Sequence, residues 1–123
     1  MTTSTVRERL RQALGESLKT RDAIAASALR SALGALDNAS AVPVAPSATI
    51  TSSPHFAGVV AGLGAGEAPR KILSEDDAAA IVQAEIDERL AAALVYDQAG
   101  RADRAGRLRR EADVMESALA AET

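Results

Sequence analysis

Ala99-Gly100-Arg101-Ala102-Asp103-Arg104-Ala105-Gly106-Arg107-Leu108-Arg109-Arg110 joins two strongly helical segments. Gly100 can adopt the left-handed conformation that ends a helix, and the residues from Arg101 restart one. In that restart Arg101, Arg104, Arg107, Arg109 and Arg110 are opposed only by Asp103. Downstream, Ala105, Leu108, Ala112, Met115 and Leu119 recur at spacings of three and four, the pattern of a narrow apolar seam. Upstream, Ser74-Glu75-Asp76-Asp77 has the form of a helix cap followed by acids that suit the helix dipole. The segment it opens carries Ala78, Ile81, Val82, Ile86, Leu90, Ala93 and Leu94 on or near one buried stripe.

The N-terminal part repeats this organisation. Thr5-Val6-Arg7-Glu8 has the capping-box form, and Val6, Leu10, Ala13, Leu14 and Leu18 follow on one face. A second stripe runs through Ile24, Ala28, Leu29, Ala32, Leu33 and Leu36. No Gly or Pro separates the two, so a break at Thr20 to Asp22 rests on capping side chains, with one continuous helix as the alternative. The expected architecture is all-α, with helices at about 6–19, 22–38, 75–99 and 101–120 in two antiparallel hairpins. Between them, residues 39–73 hold all four prolines and four of the eight glycines, and read as a flexible insertion.

Composition supports helices over sheet. One Phe, one Tyr and no Trp leave Leu, Ile, Val, Ala and two Met to build the core, and strand formers are scarce. Seventeen acids against fourteen bases give a net charge of −3, which lacks the basic excess of a dedicated nucleic-acid binder. The charge is unevenly placed. Residues 6–38 carry six basic and four acidic side chains, whereas residues 74–99 carry seven acids and only Arg89. With no Cys, disulfides and thiolate chemistry are excluded. No apolar run reaches membrane-spanning length and no leader is evident, so a cytoplasmic location and no membrane partner are expected.

No reaction is legible. His55, the only histidine, sits in the insertion without partners at fixed spacing. Glu75, Asp76 and Asp77 are explained by capping, and Glu85 with Arg89 by a helix-surface ion pair. The glycines at 58, 62, 64 and 66 lack the strand and the Lys-Ser or Lys-Thr of a phosphate loop. Neither a metal nor a cofactor nor a small-molecule substrate is expected, and no catalytic residue is assigned. Arg101, Arg104 and Arg107 line up loosely and are chemically able to contact phosphates. The competing expectation pairs Arg107 with Glu111 and Arg110 with Asp113, or turns the row toward the acidic third helix.

Several of these segments resemble the GatB/YqeY family. Lys19-Thr20-Arg21-Asp22 followed by Leu29-Arg30-Ser31-Ala32-Leu33 is similar to its Lys-x-Arg-Asp and Leu-Arg opening. Glu85-Ile86-Asp87-Glu88-Arg89 resembles its Glu-Ile-x-x-Arg segment, and Ala99-Gly100-Arg101-Ala102-Asp103, with Ala105 and Glu111 beyond, its Ala-Gly-Arg-x-Asp joint. The resemblance implies a helical domain related to the tail of the B subunit of glutamine-dependent aminoacyl-tRNA amidotransferase, where the tail assists transfer-RNA recognition and transamidation occurs elsewhere. It implies no catalytic residue here. Two departures stand out: the 39–73 stretch is longer than in most members, and the chain stops soon after Leu119, where the family usually continues into a smaller helical domain. The expectation is a non-catalytic module with weak transfer-RNA binding through Arg21, Arg30, Arg101, Arg104 and Arg107. The alternative is a helical module that docks another protein or a second copy of itself, without RNA contact.

Overall fold

The computed structural model describes residues 4–41 and 71–121, and among these it is all-helical, with four helices and no strand. They are α1 (Val6–Lys19), α2 (Ala23–Ser40), α3 (Glu75–Gln98) and α4 (Ala102–Ala120). Compared with the sequence reading, α2 starts after Asp22 and runs on to Ser40, α3 stops before Ala99, and α4 starts after Arg101. Asp22 and Arg101 occupy the half-helical positions that precede a first turn, which accounts for those two shifts. Most of the insertion expected at 39–73, and His55 with it, lies outside the described residues.

The caps form as their side chains require. The Glu8 amide donates to Thr5 Oγ1 (3.1 Å) and the Thr5 amide to Glu8 Oε1 (2.9 Å). Ser74 and Asp77 make the same reciprocal pair at α3 (3.0 and 3.3 Å), and Asp22 Oδ1 accepts from the Ala25 amide (3.1 Å). Each exchange satisfies amides that a helix start leaves without intrahelical partners.

Two turns of one design close α1 and α3. After α3, the Gly100 amide donates to Asp97 O (3.0 Å) and the Arg101 amide to Tyr96 O (2.8 Å), with Gly100 left-handed at φ 76°. After α1, the Arg21 amide donates to Leu18 O (3.3 Å) and the Asp22 amide to Ser17 O (2.9 Å). Here a non-glycine, Arg21, holds the left-handed position at φ 59°. This pair of bonds is the Schellman arrangement, which glycine favours because its missing Cβ removes the steric penalty. The break at Thr20 to Asp22 is therefore real, and it is made by the backbone of an arginine.

The core is aliphatic. Leu10, Leu29, Leu36, Val82, Ile86 and Met115 are fully buried, with Ala28, Ala32, Ala78, Ala112 and Ala118 between them. Alanine at so many contacts lets the helices approach closely, and without a large aromatic ring the edges of the bundle carry polar ties. Arg7 reaches Asp37 (2.6 Å), joining the start of α1 to the end of α2. Arg9 donates to Leu119 O at the end of α4 (3.3 Å) and to Ser4 O, while its buried Nε has no hydrogen-bond partner. The Val6 amide donates to Glu75 Oε1 (2.7 Å), so an acid of α3 serves the first turn of α1. The Lys71 amide donates to Ser40 O (2.7 Å), so the described chain resumes beside the end of α2.

The expected stripes are mostly buried, with one departure. Leu90 and Leu94, placed by periodicity on the buried side of α3, are 43% and 59% exposed, and Val95 is 63% exposed. The cause is the face they occupy. Ala78, Val82, Ile86 and Ala93 are the buried residues of α3 and lie on one side of it. Leu94 falls instead in the row of Ala80 and Asp87, which is exposed along the helix, and Leu90 and Val95 flank that row. In the C-terminal half of α3 only Ala93 is buried, and it does not belong to the main apolar cluster.

The two turns make a matched test. Arg21→Gly is expected to raise the free energy of unfolding by about 1 kcal/mol, and Gly100→Ala to lower it by about as much. Arg21→Ala keeps the steric cost and should be near neutral. Urea titrations of the three variants read these shifts directly from the midpoint.

Candidate nucleic-acid interface

The five arginines singled out from the sequence fall into two sets. Arg21 and Arg30 flank a shallow groove of about 360 Å³ over the α1–α2 turn, beside Leu18 and Ala26. Arg104 and Arg107 line another, of about 320 Å³, with Leu108 and Glu111. Arg101 stands exposed at the α3–α4 turn.

Their availability differs. Arg107 Nε donates to Glu111 Oε2 (3.3 Å), the pairing expected from the sequence. The guanidinium of Arg104 lies 5.5 Å from the centroid of the Tyr96 ring, a cation–π distance. Arg21, Arg30 and Arg101 make no ion pair and no side-chain hydrogen bond among the described residues. Of the five, these three have guanidinium groups open to a phosphate, and Arg11 of α1 is likewise exposed and without an ion pair among the described residues.

The remaining arginines of the joint are tied down. Arg109 bonds Asp97 of α3, and this hydrogen bond, with the Asp97 charge, raises the Arg109 pKa above its ordinary value. Arg110 does not pair with Asp113 as expected: its Nη2 bonds Asp22 Oδ2 at 2.6 Å, 88 residues away in sequence. The helix start that Asp22 caps thus sits within reach of α4, and a long-range partner displaces the local one. One side chain then does two jobs, since Oδ1 of Asp22 caps α2 and Oδ2 receives Arg110.

The strongest polar cluster was only half legible. Glu85 and Arg89 do pair (3.0 Å), but as part of a bridge between helices and not as a surface pair. Arg89 Nε donates to Glu111 Oε1 (3.0 Å), and Nη1 donates to Glu85 Oε1 (3.0 Å) and Glu85 O (3.2 Å). The three side chains are only 13–24% exposed, so these bonds act where water screens them little. A signal was present: Arg89 and Glu111 stand eleven residues either side of Gly100, and a turn at that glycine brings such positions opposite each other.

A larger groove, about 740 Å³, lies elsewhere among the described residues, between α1, α2 and α4. Its floor includes Ala25, Leu29 and Val114, and its charged rim combines Arg9 and Arg110 with Glu16, Asp22 and Asp113. Three carboxylates against two guanidiniums, one already paired with Asp22, do not suit a phosphate. Among the described residues no group of three or more His, Cys, Asp or Glu is placed to hold a metal, and no helix is long and apolar enough to cross a membrane. Comparison with known protein-family models, with curated proteins and with solved structures gave no match.

The bridge defines a stability test. Glu111→Ala leaves Arg89 largely buried with half its partners, and is expected to cost about 1–3 kcal/mol, below the cost of breaking a fully buried pair. Arg107→Ala removes only a half-exposed contact and should stay within about 0.5 kcal/mol. Thermal or urea unfolding of both variants compares them.

Proposed function

We propose that this chain is a non-catalytic helical module of GatB/YqeY type that makes weak contact with transfer RNA. The observation that carries the reading is that Arg21, Arg30 and Arg101 are exposed and lack intramolecular partners, while the other arginines of the joint are occupied. All three lie within the segments that resemble the family: Lys19 to Asp22, Leu29 to Leu33, and Ala99 to Asp103. The four helices form two antiparallel hairpins on this reading, supported by the contacts of Arg7 with Asp37 and of Arg89 with Glu111. Arg104 and Arg107 take a secondary part, because each would first have to leave Tyr96 or Glu111. A net charge of −3 limits the electrostatic attraction, so affinity is modest and falls steeply with salt.

Filter binding of transfer RNA at low ionic strength tests this. Retention is expected at micromolar protein, and the combined Arg21→Ala, Arg30→Ala and Arg101→Ala variant should lower the salt slope by about 2 to 3. Absence of retention at several hundred micromolar, or an unchanged slope in that variant, would sink the reading. Glutamine hydrolysis by the isolated chain is expected to be nil.

A further inference from the structure

We propose that the groove over the α1–α2 turn takes an unpaired nucleotide of an RNA strand, with its base on the apolar floor and its flanking phosphates on Arg21 and Arg30. The proposal rests on the transfer-RNA reading above and deepens it, by naming the part of an RNA that the site fits. Arg21 and Arg30 flank the groove, and neither has an ion pair among the described residues. Between them lie Leu18, from the last turn of α1, and Ala23 and Ala26 of α2.

Ala23, Ala26 and Arg30 are spaced by three and four, so they share one face of α2. Arg30 stands seven residues, about 10 Å, beyond Ala23, and Arg21 comes just before the helix. The two guanidiniums thus mark the ends of a short apolar floor. Leu18 continues the apolar stripe of α1, yet it is 51% exposed. A surface leucine by itself needs no explanation; this one is set apart by its place between two unpaired cations. The acid in the groove does not oppose them, because Asp22 spends Oδ1 on the Ala25 amide and Oδ2 on Arg110.

What each form of RNA exposes selects the occupant. A duplex turns phosphates and 2′-hydroxyls outward and hides the faces of its bases, so an apolar floor gains nothing from it. An unpaired nucleotide offers a base face to bury and a phosphate on either side. Net charge argues the same way: at −3 the chain draws little from phosphates alone, so burial has to add to charge. At about 360 Å³ the groove lies at the small end of ligand pockets, with room for one base and not for a helix.

Fluorescence anisotropy of the full chain at low ionic strength tests this with three labelled probes of equal length. They are oligouridylate, an RNA duplex and a ribose–phosphate strand without bases. Oligouridylate is expected to bind at least about fivefold tighter than the base-free strand, which carries the same charge. Leu18→Ala should weaken oligouridylate about threefold at an unchanged salt slope, and leave the duplex and the base-free strand as they were. Ala23→Glu puts a carboxylate into the groove at a first-turn position that the helix dipole favours, and should weaken oligouridylate about tenfold. Far-UV circular dichroism checks that both variants keep the fold. Equal affinity for oligouridylate and the base-free strand, or oligouridylate binding indifferent to either substitution, overturns the proposal and leaves the transfer-RNA reading standing where transfer RNA is still retained. Failure to bind any RNA, transfer RNA included, overturns both.

Discussion

Arg89 sends three hydrogen bonds into two carboxylate-bearing residues, one on its own helix and one on α4, and the placement of α3 against α4 depends on them. The apolar contacts around it are permissive. Alanine faces slide past one another with little change in buried area, so a core of Leu, Ile, Val, Ala and one buried Met specifies proximity better than register. A guanidinium held between Glu85 and Glu111 is less tolerant, because a shift of one turn would leave largely buried charge without partners. The Schellman turn at Gly100 sets the same register from the other end: eleven residues on each side of it lead to Arg89 and Glu111. The turn and the bridge agree, and this kind of agreement between local and long-range choices narrows the folded state to one arrangement.

The α1–α2 pair is fixed to this frame by single contacts near its ends. Glu75 receives the Val6 amide, Arg9 reaches Leu119 O, and Arg110 reaches Asp22. Each contact joins a helix terminus to another element, where unsatisfied amides and carbonyls have most to gain from a charged partner. Much of the arginine content is thereby explained without a ligand. Arg7, Arg9, Arg89, Arg107, Arg109 and Arg110 are all committed to contacts within the chain.

What could be read from the sequence was what local chemistry decides. Thr5 with Glu8, Ser74 with Asp77 and the left-handed Gly100 were legible because donor and acceptor lie within three residues of one another. The number and type of helices followed from these signals and from periodicity. The partner of Arg110 was not legible, since Asp113 was nearer in sequence and Asp22 nearer in space. Leu90 and Leu94 misled for a different reason: apolar residues are spread round much of the circumference of α3, so periodicity did not single out the side that Ala78, Val82, Ile86 and Ala93 bury. At the candidate interface the residue types were visible, but their freedom was not. Arg101 and Arg107 look equivalent as letters, yet only one of them has a carboxylate within reach.

The left-handed Arg21 and the exposed apolar strip of α3 share a logic, for both keep a side chain where folding alone would prefer another. Glycine would close α1 at lower steric cost, and a polar residue at position 94 would cost the core nothing. Arg101 belongs with them: it is exposed at the α3–α4 turn and has no ion pair among the described residues, so its guanidinium is not spent on holding the helices together.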